Sequence, residues 1–181
     1  MDALVALHTR TAAPRLEGPA PDAAALDQIL RAGLRAPDHA MLRPWRFLVV
    51  EGQARNKLGQ LFVDALQPKT PEESDKLRAS PLRAPMLIVA IAAVKDHPKV
   101  PALEQIASCA AAVQNMSVAI HALGFASIWR TGAPAYDPRV KQALGLKDSD
   151  AIVGYLYVGT PTLRERPVPA LDVADYVEHW N

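Results

Sequence analysis

APDHAMLRPWRF, running from Ala36 to Phe47, is the stretch on which the reading of the fold turns. Upstream of it, Leu26, Ile29, Leu30 and Leu34 recur at helical spacing behind Asp22, a good N-cap residue. Pro37 disfavours the α conformation at Ala36, so the pattern predicts that this helix stops there with Arg35 in its last turn. From Phe47 to Val50 the chain reads as a short buried strand. Between helix and strand lie two prolines, Asp38, His39, Arg43, Trp45 and Arg46. A plain connector needs a proline and a small residue or two. The surplus of cationic and aromatic groups marks a segment built to line something.

Working outward, the same reasoning divides the rest of the chain. Asp2 opens a short helix that ends near Arg10, and APRLEGPAP is an extended link. Gln53 to Leu66 reads as a helix. QPKTPEESDK reads as a polar loop entering another helix that ends near Ala79. Met86 to Val94 is a nearly unbroken apolar strand. IASCAAAVQNMSVAIHALGFA forms a long alanine-rich helix closed by Gly124. Ala126–Arg130 is a strand, DPRVKQALGL a short helix and Ile152–Val158 a last strand. With about four strands among helices, no repeats and no long linker, residues 1–181 are expected to form one layered domain. The tail from Pro161 is proline-spaced yet carries Val168, Leu171, Val173, Tyr176, Val177 and Trp180. Such a tail is expected to wrap its own domain or cross to a partner subunit.

Composition excludes several classes of function. The chain has 181 residues, half of them apolar, with a formal net charge of +1. Nucleic acid and anionic membrane are therefore not expected partners. The alanine-rich helix is interrupted by Gln114, Asn115 and His121, which suits burial in protein better than a bilayer span. No secretory signal is visible, and Cys109 is the lone cysteine, so a reducing, cytoplasmic setting is expected. There is no G-x-G-x-x-G after a strand, no Walker A loop and no G-x-S-x-G elbow. The five histidines are scattered without metal-ligand spacing. Arginines in particular places remain: Arg10 at the end of the first helix, Arg35 with His39 four residues on, and Arg130 between Trp129 and Thr131. Each has a bland reading, as a helix-dipole partner or a packing anchor.

RAGLRAPDHAMLRPWRFLVVEG (Arg31–Gly52), GFASIWRTGA (Gly124–Ala133) and IVGYLYVGTP (Ile152–Pro161) together resemble the FMN-dependent nitroreductase family, above all its small subgroup with a shortened chain. The resemblance implies a three-layer α+β fold with a mainly antiparallel central sheet. It implies a homodimer with exchanged extended termini and FMN at the interface. It also implies two-electron, ping-pong hydride transfer from NAD(P)H through the flavin to an electron-poor small molecule such as a nitroaromatic or quinone. On this likeness the FMN contacts fall on Arg10, Thr11, Ala12, Arg35, His39, Trp129, Arg130 and Thr131. A nicotinamide-contacting stretch falls on Ala119, Ile120, His121, Ala122, Leu123 and Gly124. The flavin carries the redox chemistry, so no catalytic side chain and no metal is implied.

The chemistry fits those residue types. Arginine offers a rigid fork for phosphate oxygens, which makes Arg10 and Arg130 the better phosphate candidates. A fixed cation beside the pyrimidine end of the flavin would stabilise the charge of the reduced ring, a role open to Arg35 or His39. Three departures stand out. Ala12 replaces the serine usual in the family's N-terminal motif. Arg43 stands where a glutamine is common. The chain also lacks the helical excursion that covers the site in longer members. A flavin-binding protein with little turnover, and a different flavin reaction on the same scaffold, are the competing readings.

Overall fold

The computed structural model describes residues 1–162 and 167–180. Seven α-helices, three short 3-10 turns and five strands are seen among them. Strands β2 (Trp45–Glu51), β3 (Met86–Ala92), β4 (Ala126–Arg130) and β5 (Ala151–Pro161) form one sheet in the order β4-β5-β3-β2, and every pairing is antiparallel. β1 (Leu16–Glu17) pairs with the far end of β5. A single parallel bridge joins Ala12 to Ser127.

Each sheet face carries a helical layer. Met86, Ile88, Ala90, Leu156 and Val158 pack against α2 (Ala23–Gly33) and α5 (Ala102–Ala122) through Ile29, Val113, Met116 and Ile120. Leu87, Val89, Ile91, Tyr155 and Tyr157 face the other way, onto Leu58, Phe62 and Ala65 of α3 (Ala54–Leu66) and Val140 of α7 (Pro138–Ala143). β3 is buried along its whole length because both faces are covered, which is why its sequence is an unbroken apolar run. The result is the three-layer α+β fold that the resemblance implies.

Local chemistry sets the helix ends. Asp2 accepts from Leu4 N at 2.9 Å to open α1 (Ala3–Thr9), and Asp22 accepts from Ala25 N at 2.8 Å to open α2. α5 closes through paired bonds, Phe125 N to Ile120 O and Gly124 N to His121 O, both 3.0 Å, with Gly124 at φ +85°. A side chain there would be strained, so the glycine does end the helix as its position suggests. Cys109 is fully buried on α5, and burial pushes its thiol up to about 12.

Several expectations are corrected. α2 ends at Gly33, and Arg35 lies beyond it in a turn tightened to bonds such as Arg35 N to Ala32 O. QPKTPEESDK is not mainly loop: α4 runs Pro71–Ala79, because Thr70 caps Glu73 N while Glu73 accepts from Lys69 N, and Pro71 suits the first turn. β2 is longer than Phe47–Val50 and only Val50 is buried, since β2 has a neighbour on one side only. β5 runs on to Pro161 to meet β1, a two-residue strand inside what reads as an extended link. α6 (Ala133–Tyr136) is an added turn of helix. No helix of the described residues is long and apolar enough to cross a membrane. Of the tail, Leu163–Arg166 and Asn181 lie outside the described residues, and Pro167–Trp180 is exposed throughout.

Candidate active site

The first group of predicted residues gathers at the start of β4. α1 lies on α5, and the Thr9 hydroxyl sits 2.8 Å from His121 Nε2. That hydroxyl also donates to Val5 O at 2.7 Å, so His121 donates from Nε2. The chain then turns along the sheet edge, where Ala13 N donates to Ser127 O at 3.1 Å. Arg10, Thr11 and Ala12 are thereby placed beside the stretch from Ala119 to Gly124 that closes α5. Ile120 within that stretch is buried in the core, whereas Leu123 and Gly124 are exposed.

The second group is the far end of β4. Strand alternation sends Trp129 and Arg130 to opposite faces. Trp129 Nε1 donates to Val153 O at 3.1 Å and crosses Gly154 so closely that a Cβ there would lie 2.1 Å from Nε1. Arg130 turns toward the α3–α4 side, its guanidinium carbon 6.0 Å from the centre of the Tyr157 ring. Its Nε is buried without a hydrogen-bond partner. Arg130, Thr131 and Gly132 form one wall of an open pocket of about 440 Å³. Lys76, Ser80 and Arg83 form a second wall, and Tyr155 and Tyr157 lie at its base. Burial pushes both phenols up, although Arg83, Arg130 and Ser80 partly offset this at Tyr157. Both phenols are therefore neutral donors near pH 7.

Lys76, Ser80, Arg83, Tyr155 and Tyr157 were not singled out by the sequence. The tyrosines carry a signal, alternating on a strand with apolar residues. Lys76 and Arg83 carry none, because only the α4-to-β3 crossing brings them to Arg130.

The third group is the segment on which the sequence reading opened. Arg35 is exposed beyond α2, and His39 Nδ1 lies 2.7 Å from Glu104 Oε2 in the first turn of α5. Ala40, Met41 and Arg43 all take left-handed backbone, with φ of 59°, 52° and 49°. Such positions cost non-glycine residues roughly 1–3 kcal/mol each and need external support. The supports are present. Asp38 accepts from Leu42 N at 3.1 Å and from Arg43 N at 2.7 Å. Ser108 of α5 donates to Pro37 O and accepts from Trp45 Nε1 at 3.0 Å, and Lys95 Nζ donates to Leu42 O.

These groups do not all meet within one chain. The Ala12–Ser127 bridge sets the Arg10 backbone level with the start of β4 and Arg130 at its end, a rise of about 16 Å between their backbones at about 3.3 Å per residue. His39 lies beside the start of β2, and the sheet order places β5 and β3 between β2 and β4, about 14 Å in all at roughly 4.8 Å per strand spacing. Along α5, the level of Glu104 lies about 25 Å from that of His121, at about 1.5 Å per residue. Among the described residues Arg31, Arg78 and Arg139 pair with nearby carboxylates, while Arg10, Arg35 and Arg130 pair with none.

The sequence pattern of the nitroreductase family matches residues 16–160, and so spans the sheet, α5 and the Arg130 wall of the pocket. The chain belongs to the nitroreductase family. It is 43% identical over 166 residues to a protein of Escherichia coli (strain K12) named "Putative NAD(P)H nitroreductase YdjA", covering 91% of each chain. In structure it is similar to a nitroreductase-like family protein from Bacillus cereus, with a TM-score of 0.86 at 22% identity, covering 99% of this chain and 96% of that one. It is also similar in fold to a nitroreductase-like protein of Desulfovibrio desulfuricans crystallised in complex with FMN, with a TM-score of 0.75 at 21% identity, covering 100% and 98%. This chain thus has both the family and the fold of the nitroreductases.

Proposed function

We propose that this chain is an FMN-dependent oxidoreductase that takes hydride from NAD(P)H and delivers it, in a ping-pong cycle, to an electron-poor small molecule such as a nitroaromatic or quinone. One observation carries the reading. Arg130, which the family resemblance assigns to the cofactor, has a buried Nε with no hydrogen-bond partner beside an open pocket. An orphaned donor of that kind is costly unless a ligand supplies its acceptor. The donor set is rich in cations and neutral phenols, with no carboxylate on the pocket wall. That suits an anionic, acceptor-rich cofactor.

Bound there, FMN would supply the two-electron chemistry, accepting and releasing hydride at its ring. The chain's residues then divide the work. Arg10 and Thr11, at one end of β4, hold the phosphate, with Thr11 offering the hydroxyl that Ala12 lacks. Arg130, Thr131 and Gly132, at the other end of the strand, would hold the same cofactor from that side. Arg83 and Lys76, which line the same pocket, would lend positive charge to stabilise the reduced ring. Trp129 closes the opposite face of the strand.

Arg35 and His39 are too far from this line to serve the same molecule in the same chain, which supports a homodimer in which each chain lends these two residues to its partner's cofactor. The exposed tail, with Tyr176 72% and Trp180 fully accessible, supports the same assembly. Residues 1–181 act as one FMN-binding domain, and the buried, lone Cys109 supports a reducing, cytoplasmic setting.

The test is flavin titration of the apoprotein. A charge-assisted hydrogen bond is worth about 1.5–3 kcal/mol, so Arg10→Ala should weaken FMN binding by about ten- to a hundredfold. Unchanged affinity would place the phosphate elsewhere, and a wild-type chain that takes up no FMN would end the proposal.

A further inference from the structure

We propose that Glu104 is the positioning residue for His39, fixing the imidazole so that its Nε2 edge is the one offered to the cofactor. This rests on the reading above that His39 faces FMN across the dimer.

Two independent observations point to it. The first is the pair itself. The other ion pairs among the described residues, Arg31 with Asp27, Arg78 with Asp75 and Arg139 with Asp137, are local to one helix or turn. His39 and Glu104 join two elements across 65 positions of sequence at 2.7 Å. The second is the backbone that delivers His39. Ala40, Met41 and Arg43 hold left-handed conformations, yet none of residues 39–41 is buried, and Met41 is 79% exposed. The strain therefore does not serve core packing. Asp38 ties the loop to itself at Leu42 and Arg43, Lys95 ties Leu42 to the segment after β3, and Ser108 ties Pro37 and Trp45 to α5. What the loop achieves is the meeting of His39 with the first turn of α5. Glu104 is well placed there, because a carboxylate near a helix N-terminus is favoured by the exposed N–H groups. An ionised carboxylate only accepts, so His39 Nδ1 must donate to it. Nε2 is then the ring atom left for a ligand, and the ring cannot flip without breaking the pair. The same arrangement is common where a second group orients a working histidine.

The experiment is FMN titration of the full-length apoprotein in wild type, His39→Ala, Glu104→Ala, Glu104→Gln and the double alanine variant, with ¹⁵N NMR of the histidine side chains. Loss of one oriented hydrogen bond corresponds to about three- to tenfold in affinity. Glu104→Ala should weaken FMN binding by about that factor, as should His39→Ala, and the double variant should be no weaker than His39→Ala. Glu104→Gln, whose amide oxygen still accepts, should bind FMN like wild type. His39 should be protonated at Nδ1 in wild type and Glu104→Gln, and should lose that preference in Glu104→Ala. A Glu104→Ala protein that binds FMN normally while His39→Ala does not, or a wild-type His39 protonated only at Nε2, would overturn the role of Glu104 alone. A His39→Ala protein with normal FMN affinity would instead overturn the placement of His39 at the cofactor.

Discussion

At the scale of single residues, the site depends on close approaches that leave no freedom of substitution. Gly154 lies under the Trp129 indole, and a Cβ there would sit 2.1 Å from Nε1 and 2.9 Å from Arg130 O. Gly154→Ala should push the indole off Val153 O and disturb the end of β4. Overpacking of this kind costs typically 1–3 kcal/mol, so urea unfolding should show a loss of about that size together with a red shift of Trp129 emission. An alanine variant as stable as wild type would show that the strand can yield without cost. Cys109 tests burial deeper in the layer on the same face. Its thiol is raised from its ordinary value to about 12 by burial, so the folded chain binds a proton that the unfolded chain has released above about pH 9. The stability this gives is fully present below pH 9 and is lost as pH rises toward 12. Wild type should therefore lose stability across that window relative to Cys109→Ala, and parallel pH profiles for the two proteins would contradict the burial argument. Much at this scale is legible beforehand. Asp2 and Asp22 as caps and Gly124 as a helix terminator follow from residue chemistry alone. The left-handed backbone at Ala40, Met41 and Arg43 does not, because no glycine or asparagine marks it and, beside Asp38, its supports come from distant residues 95 and 108.

At the scale of elements, the loop between α2 and β2 is held at several points. Asp38 satisfies two backbone N–H groups at once. Removing it leaves a partly buried donor unmet, a cost of about 1–3 kcal/mol. Asp38→Ala should therefore speed amide exchange at Leu42 and Arg43 and weaken FMN binding, while leaving protection in β3 and α5 little changed. Unaltered exchange at those two amides would mean that Ser108, Trp45 and Lys95 suffice to hold the loop. The helix α4 shows why elements are harder to read than caps. Its first turn is as polar as a loop, and only the bonds of Glu73 reveal it, its N–H donating to Thr70 Oγ1 and its carboxylate accepting from Lys69 N. β1 has too few residues to show any alternation. The pocket was invisible for a related reason. Lys76 and Arg83 reach Arg130 only through the crossing from α4 into β3, which no local pattern records.

At the scale of the whole molecule, the sheet separates the working groups. One chain places Arg10 and Arg130 along β4 and holds Arg35 and His39 beside the first half of α5, across the sheet. In the homodimer proposed above, a two-fold assembly would bring the second set of one chain to the first set of the other, and the interface would then be part of the site rather than an addition to it. The layered architecture was readable as a family likeness, and the antiparallel sheet agrees with it; the segments proposed to hold FMN were named by the same likeness. The division of the segments between two ends of one chain was not, since it follows from strand order and helix length. The most direct test is size-exclusion chromatography of the FMN-reconstituted protein with light scattering and flavin absorbance recorded on the same peak. A peak of twice the chain mass carrying one FMN per chain is the predicted result. A flavin-loaded peak at the mass of a single chain, or a dimer that retains no flavin, would contradict a cofactor held between two chains.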